Sequence, residues 1–272
     1  MYKGLKIKPL VFAGRKDTMQ ILFPLIKSDI IDEVLICVNT KNADDIEFID
    51  KYTQTNPRFT RVLVPDYLIG TSAAYTHMFS LMTDPDTIYI KLDDDLIYLS
   101  SNFFEELVEF RIKHPEYICI YPWVINNPLC NWLGGWFKNF SNQSDCMYWT
   151  WQDPKYAMML LSAFVENKLP IDQRADYIFD KKDVFYRPEI KFSICPSINA
   201  VCFWGRDCKT MNWAGRMPKY GTDEVFLTQG IFTDFGTERK HIVYSKPVCA
   251  HYAFYTQRSV LNAMGILEKY IC

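Results

Sequence analysis

The sequence predicts an α/β protein in which a mixed, mostly parallel sheet is flanked by helices. Two observations carry this prediction. Strand-like and helix-like segments alternate along residues 1–100, as in consecutive βαβ units. In the same half, the apolar, β-branched segment 87–92 has the composition of a buried strand and leads directly into three aspartates. With 49% hydrophobic and 23% charged residues, the composition is that of a globular protein.

The first half is expected to supply a Rossmann-like succession of strands and helices. Turn residues such as those at 14–17 and 83–86 separate the apolar runs. Right-handed crossovers between parallel strands bring the loops that follow those strands to one edge of the sheet. The predicted strands are 5–13, 34–39, 61–64 and 87–92, and the predicted helices are 18–27, 43–52 and 71–82.

The loops at this edge are candidates for binding a nucleotide. The helix that opens at Thr71 follows a glycine and leaves backbone N–H groups free for phosphate or ribose. Ordinary capping also explains Thr71, and surface solvation also explains Arg15 and Asp66. The candidates are Ala13, Gly14 and Arg15 after the first strand, Asn39 after the second, Asp66 after the third, Thr71, and Asp93 and Asp94 after the fourth.

The acidic triplet Asp93, Asp94 and Asp95 predicts a divalent metal site. Adjacent carboxylates repel one another and raise one another's pKa unless a cation neutralises them. Carboxylate oxygens suit Mg²⁺ or Mn²⁺, and Mg²⁺ is commonly held by one or two carboxylates together with substrate phosphates. A solvated acidic turn is the alternative explanation.

The second half contains a segment suited to a sugar. A helix over 101–114, capped by Ser101, and a strand over 117–124 precede residues 125–151, which lose periodicity and are rich in tryptophan, asparagine and glycine. Aromatic rings pack on the C–H surface of a sugar and amides bond its hydroxyls, although core packing explains most tryptophans. We further expect a helix over 155–167, an irregular surface loop over 170–188, and strand-like runs over 192–204 and 243–255.

Two later features add candidates for chemistry. Thr222 is a fair N-cap, so Asp223 and Glu224 fall in a first helical turn, where carboxylates suit the helix dipole. That structural role explains them, but a carboxylate at a helix start is also well placed to act as a general base. His251 lies in a strand-like run and is either a hydrogen-bonded core residue or a third metal ligand.

The charge and the cysteine content limit which partners and which cellular compartment are expected. Thirty Lys and Arg against 32 Asp and Glu give a net charge of −2, which indicates neither nucleic acid nor a membrane surface as partner. No run approaches the roughly 18 apolar residues of a membrane span, and the N-terminus begins no signal peptide. Nine cysteines without a CxxC pair predict buried thiols in a reducing compartment, with a disulfide framework or a zinc site as the alternative. We expect the cytoplasm, with the luminal catalytic domain of a trimmed chain as the alternative.

The segments 90–98 and 251–258, which read IKLDDDLIY and HYAFYTQR, resemble those of poorly characterised glycosyltransferase-like proteins. More broadly, a βαβ half that ends in Asp-x-Asp, a later acidic helix start and a late histidine resemble a nucleotide-sugar glycosyltransferase of the GT-A type. The resemblance implies a single GT-A-like catalytic domain over residues 1–272. Residues 1–100 would bind the nucleotide sugar, and residues 101–272 would bind the acceptor.

The resemblance also implies roles on the donor side. Asp95 would bind Mn²⁺ or Mg²⁺ directly, Asp93 would reach the metal or the ribose, and His251 would complete the metal site. Within the triplet, Asp94 is the least expected to touch the ion. The loop with Gly14 and Arg15 would lie near the base and ribose.

On the acceptor side, Asp223 or Glu224 would deprotonate the acceptor hydroxyl, which favours an inverting reaction. The expected function is therefore metal-dependent transfer of a sugar from a nucleotide-diphosphate sugar to a hydroxyl of a glycan or other acceptor. A non-catalytic carbohydrate-binding protein on the same fold and a sugar nucleotidyltransferase are the alternatives. Two departures from the family pattern are the third aspartate within the motif and the lack of a visible stem or anchor.

Overall fold

The computed structural model describes residues 1–136, 149–179, 196, 198–235 and 239–270. The strands are β1 (Lys6–Ala13), β2 (Val34–Val38), β3 (Phe59–Val62), β4 (Thr87–Asp93), β5 (Leu96–Leu99), β6 (Tyr117–Ile125), β7 (Tyr177–Phe179), β8 (Ala200–Trp204) and β9 (Lys240–His251). The α-helices are α1 (Lys16–Leu25), α2 (Ala43–Thr55), α3 (Ser72–Leu81), α4 (Phe103–Lys113), α5 (Pro128–Leu133), α6 (Pro154–Val165), α7 (Gly205–Thr210), α8 (Trp213–Arg216), α9 (Asp223–Val225), α10 (Ile231–Phe235) and α11 (Arg258–Ala263).

The strands form one mixed sheet in the order β3-β2-β1-β4-β8-β6-β9-β5, with β7 paired to β9 beside this path. β1 is parallel to β2 and β4, and β2 is parallel to β3. β8 is antiparallel to β4 and β6, while β6 and β9 are parallel to each other. β5 and β7 are antiparallel to β9. Six of the nine described strands therefore share one direction, and the predicted mixed, mostly parallel sheet is confirmed.

Burial on both faces explains the unbroken apolar runs of the central strands. Every residue of β4 from Thr87 to Leu92 is buried, and so are eight of the nine residues of β6. Continuous hydrophobic strands of this kind are typical of sheets covered by helices. The only charged residue in the β4 run is Lys91, and it is buried with its neighbours.

Backbone pairing at the strand ends brings distant segments to one edge. The Asp93 N–H donates to the Asn199 carbonyl (2.8 Å), which lies just before β8. The Tyr252 N–H donates to the Asp95 carbonyl (2.9 Å), and β5 begins opposite His251 of β9. The acidic triplet therefore lies between the segment that precedes β8 and the end of β9.

Local structure differs from the prediction at several places. The helix predicted to be capped by Ser101 begins at Phe103 after Asn102, whose side chain makes no capping hydrogen bond. Its start is set instead by a turn in which the Phe103 N–H donates to the Ser100 carbonyl (3.0 Å). The segment 170–188 is not wholly irregular, because in its described part β7 pairs with β9. The run 243–255 ends as a strand at His251, where a turn begins.

The six described cysteines are buried and free, as predicted for them; they are Cys37, Cys119, Cys130, Cys202, Cys208 and Cys249. Cys146, Cys195 and Cys272 lie outside the described residues, as do parts of the tryptophan-rich segment and of the run 192–204. Among the described helices, none has the length and apolar character needed to cross a membrane.

Candidate active site

A cavity of about 370 Å³ lies at the sheet edge where β4 and β9 end. It is lined by residues from six separate parts of the chain, among them the start of α9. We call it the acidic cavity. Six of the predicted site residues line it: Arg15, Asp93, Asp95, Asp223, Glu224 and His251.

Asp95 and His251 form a buried pair in this cavity. Asp95 Oδ2 lies 3.4 Å from His251 Nε2 and 2.8 Å from Arg15 Nη1. Arg258 Nη1, which has no hydrogen-bond partner among the described residues, lies 3.8 Å from the same oxygen. Burial favours a raised pKa for Asp95, but the charges of His251, Arg15 and Arg258 outweigh it and hold the pKa well below its usual range.

The contact of the other ring nitrogen, Nδ1, indicates where His251 carries a proton. His251 Nδ1 lies 3.4 Å from the Asn126 carbonyl, which can only accept a hydrogen bond. A proton on Nδ1 satisfies that contact, so Nε2 faces Asp95 either with a second proton or with its lone pair. Two acceptors that face each other require a proton or a metal ion between them.

Asp93 is held by a different set of groups. Its Oδ1 accepts from Lys91 Nζ (2.5 Å), and its Oδ2 accepts from Asn199 Nδ2 (3.1 Å). Burial disfavours the charged form of Lys91, but the nearby Asp93 and Asp223 charges dominate and raise its pKa. The ion pair of Asp93 is therefore distinct from that of Asp95.

Asp94 supports the loop after β1 instead of lining the acidic cavity. It is buried, and its Oδ2 accepts from the Gly14 N–H (2.6 Å). Its Oδ1 accepts from Arg15 Nε (2.7 Å) and also pairs with Arg15 Nη2. Burial raises the pKa of Asp94 in spite of the Arg15 charge. Asp94 thus fixes the position of Arg15 beside Asp95.

The acidic helix start lines the same cavity as Asp93 and Asp95. The Thr222 hydroxyl accepts from the Val225 N–H (3.2 Å), which confirms the predicted N-cap. Asp223 is buried and Glu224 is exposed at the cavity mouth. Desolvation by the surrounding protein raises the pKa of Glu224, and the Asp223 charge raises it further. Burial also raises the pKa of Asp223, although the Lys91 charge opposes this.

The remaining predicted nucleotide-binding residues lie outside the acidic cavity. The Ala13 carbonyl accepts from the Asn39 N–H (2.8 Å), and Asn39 Oδ1 accepts from the Gly70 N–H (2.7 Å), so these loops contact each other. Asp66 and Thr71 are exposed on the next loop. A neighbouring cavity of about 510 Å³ is lined by Gly14 and Arg15. A nucleotide-binding role for these loops stays a prediction.

Several lining residues were not predicted from the sequence. They are Tyr75, Lys91, Asn199 and Tyr255, and Arg258 lies close by. A signal existed for Lys91, since a lysine inside an apolar strand needs a buried partner. Arg258 carried no comparable local signal.

The donor set partly fits the divalent metal that the resemblance implies. In the described part of the chain, no group of three or more His, Cys, Asp or Glu side chains is placed to hold a metal ion. Asp95 and His251 alone are adjacent, and Asp93 is engaged by Lys91. A carboxylate and an imidazole suit Mn²⁺, and substrate phosphates commonly supply further ligands to a divalent ion. The pair therefore fits half of a metal site that a phosphate-bearing ligand completes.

No protein-family model matches the chain, and no curated protein sequence matches it. Among solved structures, it is similar to GalNAc-T7 with UDP, GalNAc and Mn²⁺, at 11% identity and a TM-score of 0.56. That similarity covers 98% of this chain and 48% of the other, so the chain spans about half the length of that protein. At this identity the similarity shows the fold, which is GT-A-like as predicted.

Two further structures are similar along nearly their whole length. One is 4-diphosphocytidyl-2C-methyl-D-erythritol synthase from Anaerococcus prevotii DSM 20548, at 11% identity and a TM-score of 0.45, covering 96% of this chain and 94% of that one. The other is CMP:2-keto-3-deoxy-manno-octonic acid synthetase complexed with CTP, at 9% identity and a TM-score of 0.48, covering 96% and 98%.

The Asp95–His251 pair makes a prediction about metal binding. Asp95→Asn or His251→Gln removes one of two adjacent candidate ligands, so we expect the dissociation constant for Mn²⁺ to rise about tenfold or more. Asp84→Asn, which removes the partner of Lys6 at the surface (2.9 Å), is the control and should leave it unchanged. Titration with MnCl₂ followed by electron paramagnetic resonance measures the constant. Wild-type affinity in Asp95→Asn would contradict the site.

Proposed function

We propose that the protein is a metal-dependent glycosyltransferase that moves a sugar from a nucleotide-diphosphate sugar to an acceptor hydroxyl. One observation carries the proposal: a single cavity joins the Asp95–His251 pair to the carboxylates of Asp223 and Glu224. The first pair suits a metal and phosphates, and the second suits proton removal. The fold similarity to GalNAc-T7, whose structure holds UDP, GalNAc and Mn²⁺, supports the same reading.

On the donor side, Asp95 and His251 would hold Mn²⁺ or Mg²⁺. A bound ion would neutralise charge on the departing nucleoside diphosphate. Arg15 and Arg258 lie beside Asp95 and supply guanidinium groups, which match phosphate geometry. Asp94 keeps Arg15 in place. The loops with Ala13, Gly14, Asn39, Asp66 and Thr71 would contact the base and ribose.

On the acceptor side, we assign Glu224 as the general base and Asp223 as its neighbour in the cavity. Glu224 is exposed at the mouth, where an acceptor arrives, whereas Asp223 is buried. Glu224 would take the proton of the acceptor hydroxyl as that oxygen attacks the anomeric carbon. The bond from that carbon to the diphosphate breaks, and the electron pair leaves with the nucleoside diphosphate. This single displacement inverts the anomeric configuration.

The rim of the cavity favours a carbohydrate acceptor. Tyr255 lines the cavity and is 98% exposed. The hydroxyl of the next residue, Thr256, donates to the Trp151 carbonyl (2.8 Å), and Trp151 is 51% exposed. The buried Gln257 holds this turn, because its amide accepts from the Phe254 N–H (3.2 Å) and donates to the Thr150 carbonyl (2.6 Å). Exposed aromatic rings beside a turn held in this way are suited to stacking on a sugar.

The proposed halves of the domain divide these roles unequally. Residues 1–100 supply Arg15 and Asp95 to the donor side, and residues 101–272 supply Glu224 and Tyr255 to the acceptor side. His251 belongs to the second half but would serve the donor. The donor and acceptor halves are therefore joined through the Asp95–His251 pair.

Turnover of nucleotide sugars tests the function directly. Wild-type protein is incubated with a panel of uridine, guanosine and cytidine nucleotide sugars and a panel of methyl glycosides, with MnCl₂ or with EDTA. We expect release of the nucleoside diphosphate with Mn²⁺ and its loss with EDTA or in Asp95→Ala. Pyrophosphate release from nucleoside triphosphate and sugar phosphate would instead show a nucleotidyltransferase. Glycan binding without turnover of any donor would show a binding protein.

The pH dependence tests the base. A base works deprotonated, and the pKa of Glu224 is raised above its ordinary 4.5, so kcat/KM should fall with decreasing pH at a midpoint above that value. Asp223→Asn removes a charge that raises this pKa, so the midpoint should move to lower pH. Glu224→Gln should lower kcat about 10²- to 10⁴-fold. Full activity in Glu224→Gln together with inactivity in Asp223→Asn would exchange the two roles.

The acceptor site is tested at its rim. Tyr255→Ala removes the exposed ring, and stacking of this kind contributes on the order of 1 kcal/mol, so the acceptor KM should rise about fivefold. The donor KM should stay unchanged, and Tyr255→Phe should behave like wild type. Tyr67→Ala removes another exposed ring, 79% exposed and not part of the cavity lining, and serves as the control. An unchanged acceptor KM in Tyr255→Ala would remove the rim from the acceptor site.

A further inference from the structure

Lys91 is a buried, charged residue that lines the acidic cavity and has no role in the proposed function. Its side chain is 1% exposed, and burying an ammonium group is costly unless it is paired and hydrogen-bonded. Lys91 Nζ donates to Asp93 Oδ1 (2.5 Å) and to the Ile198 carbonyl (2.6 Å). It also lies 5.2 Å from the centre of the Phe12 ring. These contacts fix the ammonium group from several sides.

The same contacts fix Asp93. Lys91 holds Oδ1, the Asn199 amide holds Oδ2 (3.1 Å), and the Asp93 N–H donates to the Asn199 carbonyl (2.8 Å). The negative charge of Asp93 is thereby compensated within the protein. A carboxylate has about four acceptor positions, so two contacts leave capacity on the exposed part of the side chain, which is 23% accessible. A neutralised carboxylate with free acceptor positions suits a hydroxyl better than a cation.

We propose that Lys91 is a positioning residue that holds Asp93 apart from the metal and presents it to a hydroxyl of the donor sugar or ribose. The inference rests on the proposed function, in which the metal is held by Asp95 and His251. It also accounts for the arrangement of the described carboxylates, since Asp95 and His251 are adjacent while Asp93 turns to the lysine.

Titration with Mn²⁺ in the absence of nucleotide tests whether Lys91 keeps Asp93 away from the metal. Lys91→Met frees Asp93, so we expect Mn²⁺ to bind about three- to tenfold more tightly, because a carboxylate becomes available near the ion. The double variant Lys91→Met/Asp93→Asn should lose this gain. Lys8→Met removes a lysine that pairs with Glu33 (2.6 Å) outside the cavity and should leave Mn²⁺ affinity unchanged. Calorimetric titration with MnCl₂ gives the affinities.

Either of two results of that titration overturns the proposal. If Lys91→Met binds Mn²⁺ no more tightly than wild type, Lys91 does not hold Asp93 from the metal. If the gain persists in the double variant, the lysine acts as a remote charge and not through Asp93. Should Lys91→Met not fold, Asp93→Asn and the double variant, which lack the uncompensated carboxylate, remain for the kinetic comparison.

Donor kinetics supply the second readout. With a nucleotide sugar that wild-type protein turns over, Lys91→Met should raise the donor KM about tenfold, while Lys91→Arg, which keeps the charge, should recover part of the loss. Asp93→Asn and the double variant should agree within about twofold, because a residue that acts through Asp93 adds nothing once Asp93 is gone. A larger defect in the double variant overturns the proposal. If wild-type protein turns over no nucleotide sugar, the proposed function fails, and the Mn²⁺ titration still decides the role of Lys91.

Discussion

Three adjacent carboxylates at the end of a buried strand must each be neutralised, and the surrounding segments are arranged around that requirement. Carboxylates this close to one another raise the free energy of the folded state unless cations lie beside them. The side chains that pair with the triplet come from different parts of the chain, so these contacts also tie the loop after β1, the strand β4 and the end of β9 together. The pairs are Asp93 with Lys91, Asp94 with Arg15, and Asp95 with Arg15 and His251.

Strand geometry decides which partner each carboxylate receives. Side chains at i and i+2 of a strand lie on one face, so Lys91 and Asp93 meet as a consequence of their spacing in β4. Asp94 follows the end of the strand and turns toward the backbone of Gly14 in the neighbouring parallel strand's loop. Asp95 lies in the turn before β5, whose pairing with β9 brings it to the histidine. One triplet thus serves three separate structural connections.

Much of this arrangement follows from local patterns in the sequence, and the rest depends on tertiary pairing. Hydrophobic periodicity predicted the βαβ pattern of residues 1–100, because the spacing of apolar residues depends directly on which face of a strand or helix is buried. The acidic helix start at Thr222 was predicted because capping is local. Arg258 was not predicted, since its partner Asp17 lies 241 residues away and meets it only once β9 and α11 are in place. Asn102 replaced Ser101 as the helix N-cap because the preceding turn overrides capping preference.

The cations around the triplet differ in how exposed they are, and this difference agrees with the phosphate-bearing substrate of the proposed function. Buried ion pairs add little to stability compared with apolar packing, so a cluster of them calls for a functional explanation. The side chain of Arg15 is held by Asp94 but is 42% exposed, so its guanidinium is accessible to a phosphate, which it would recognise by paired hydrogen bonds. Lys91, 1% exposed, is not accessible in this way. The exposed arginine therefore suits a ligand that comes and goes, and the buried lysine suits a carboxylate that has to stay in one place.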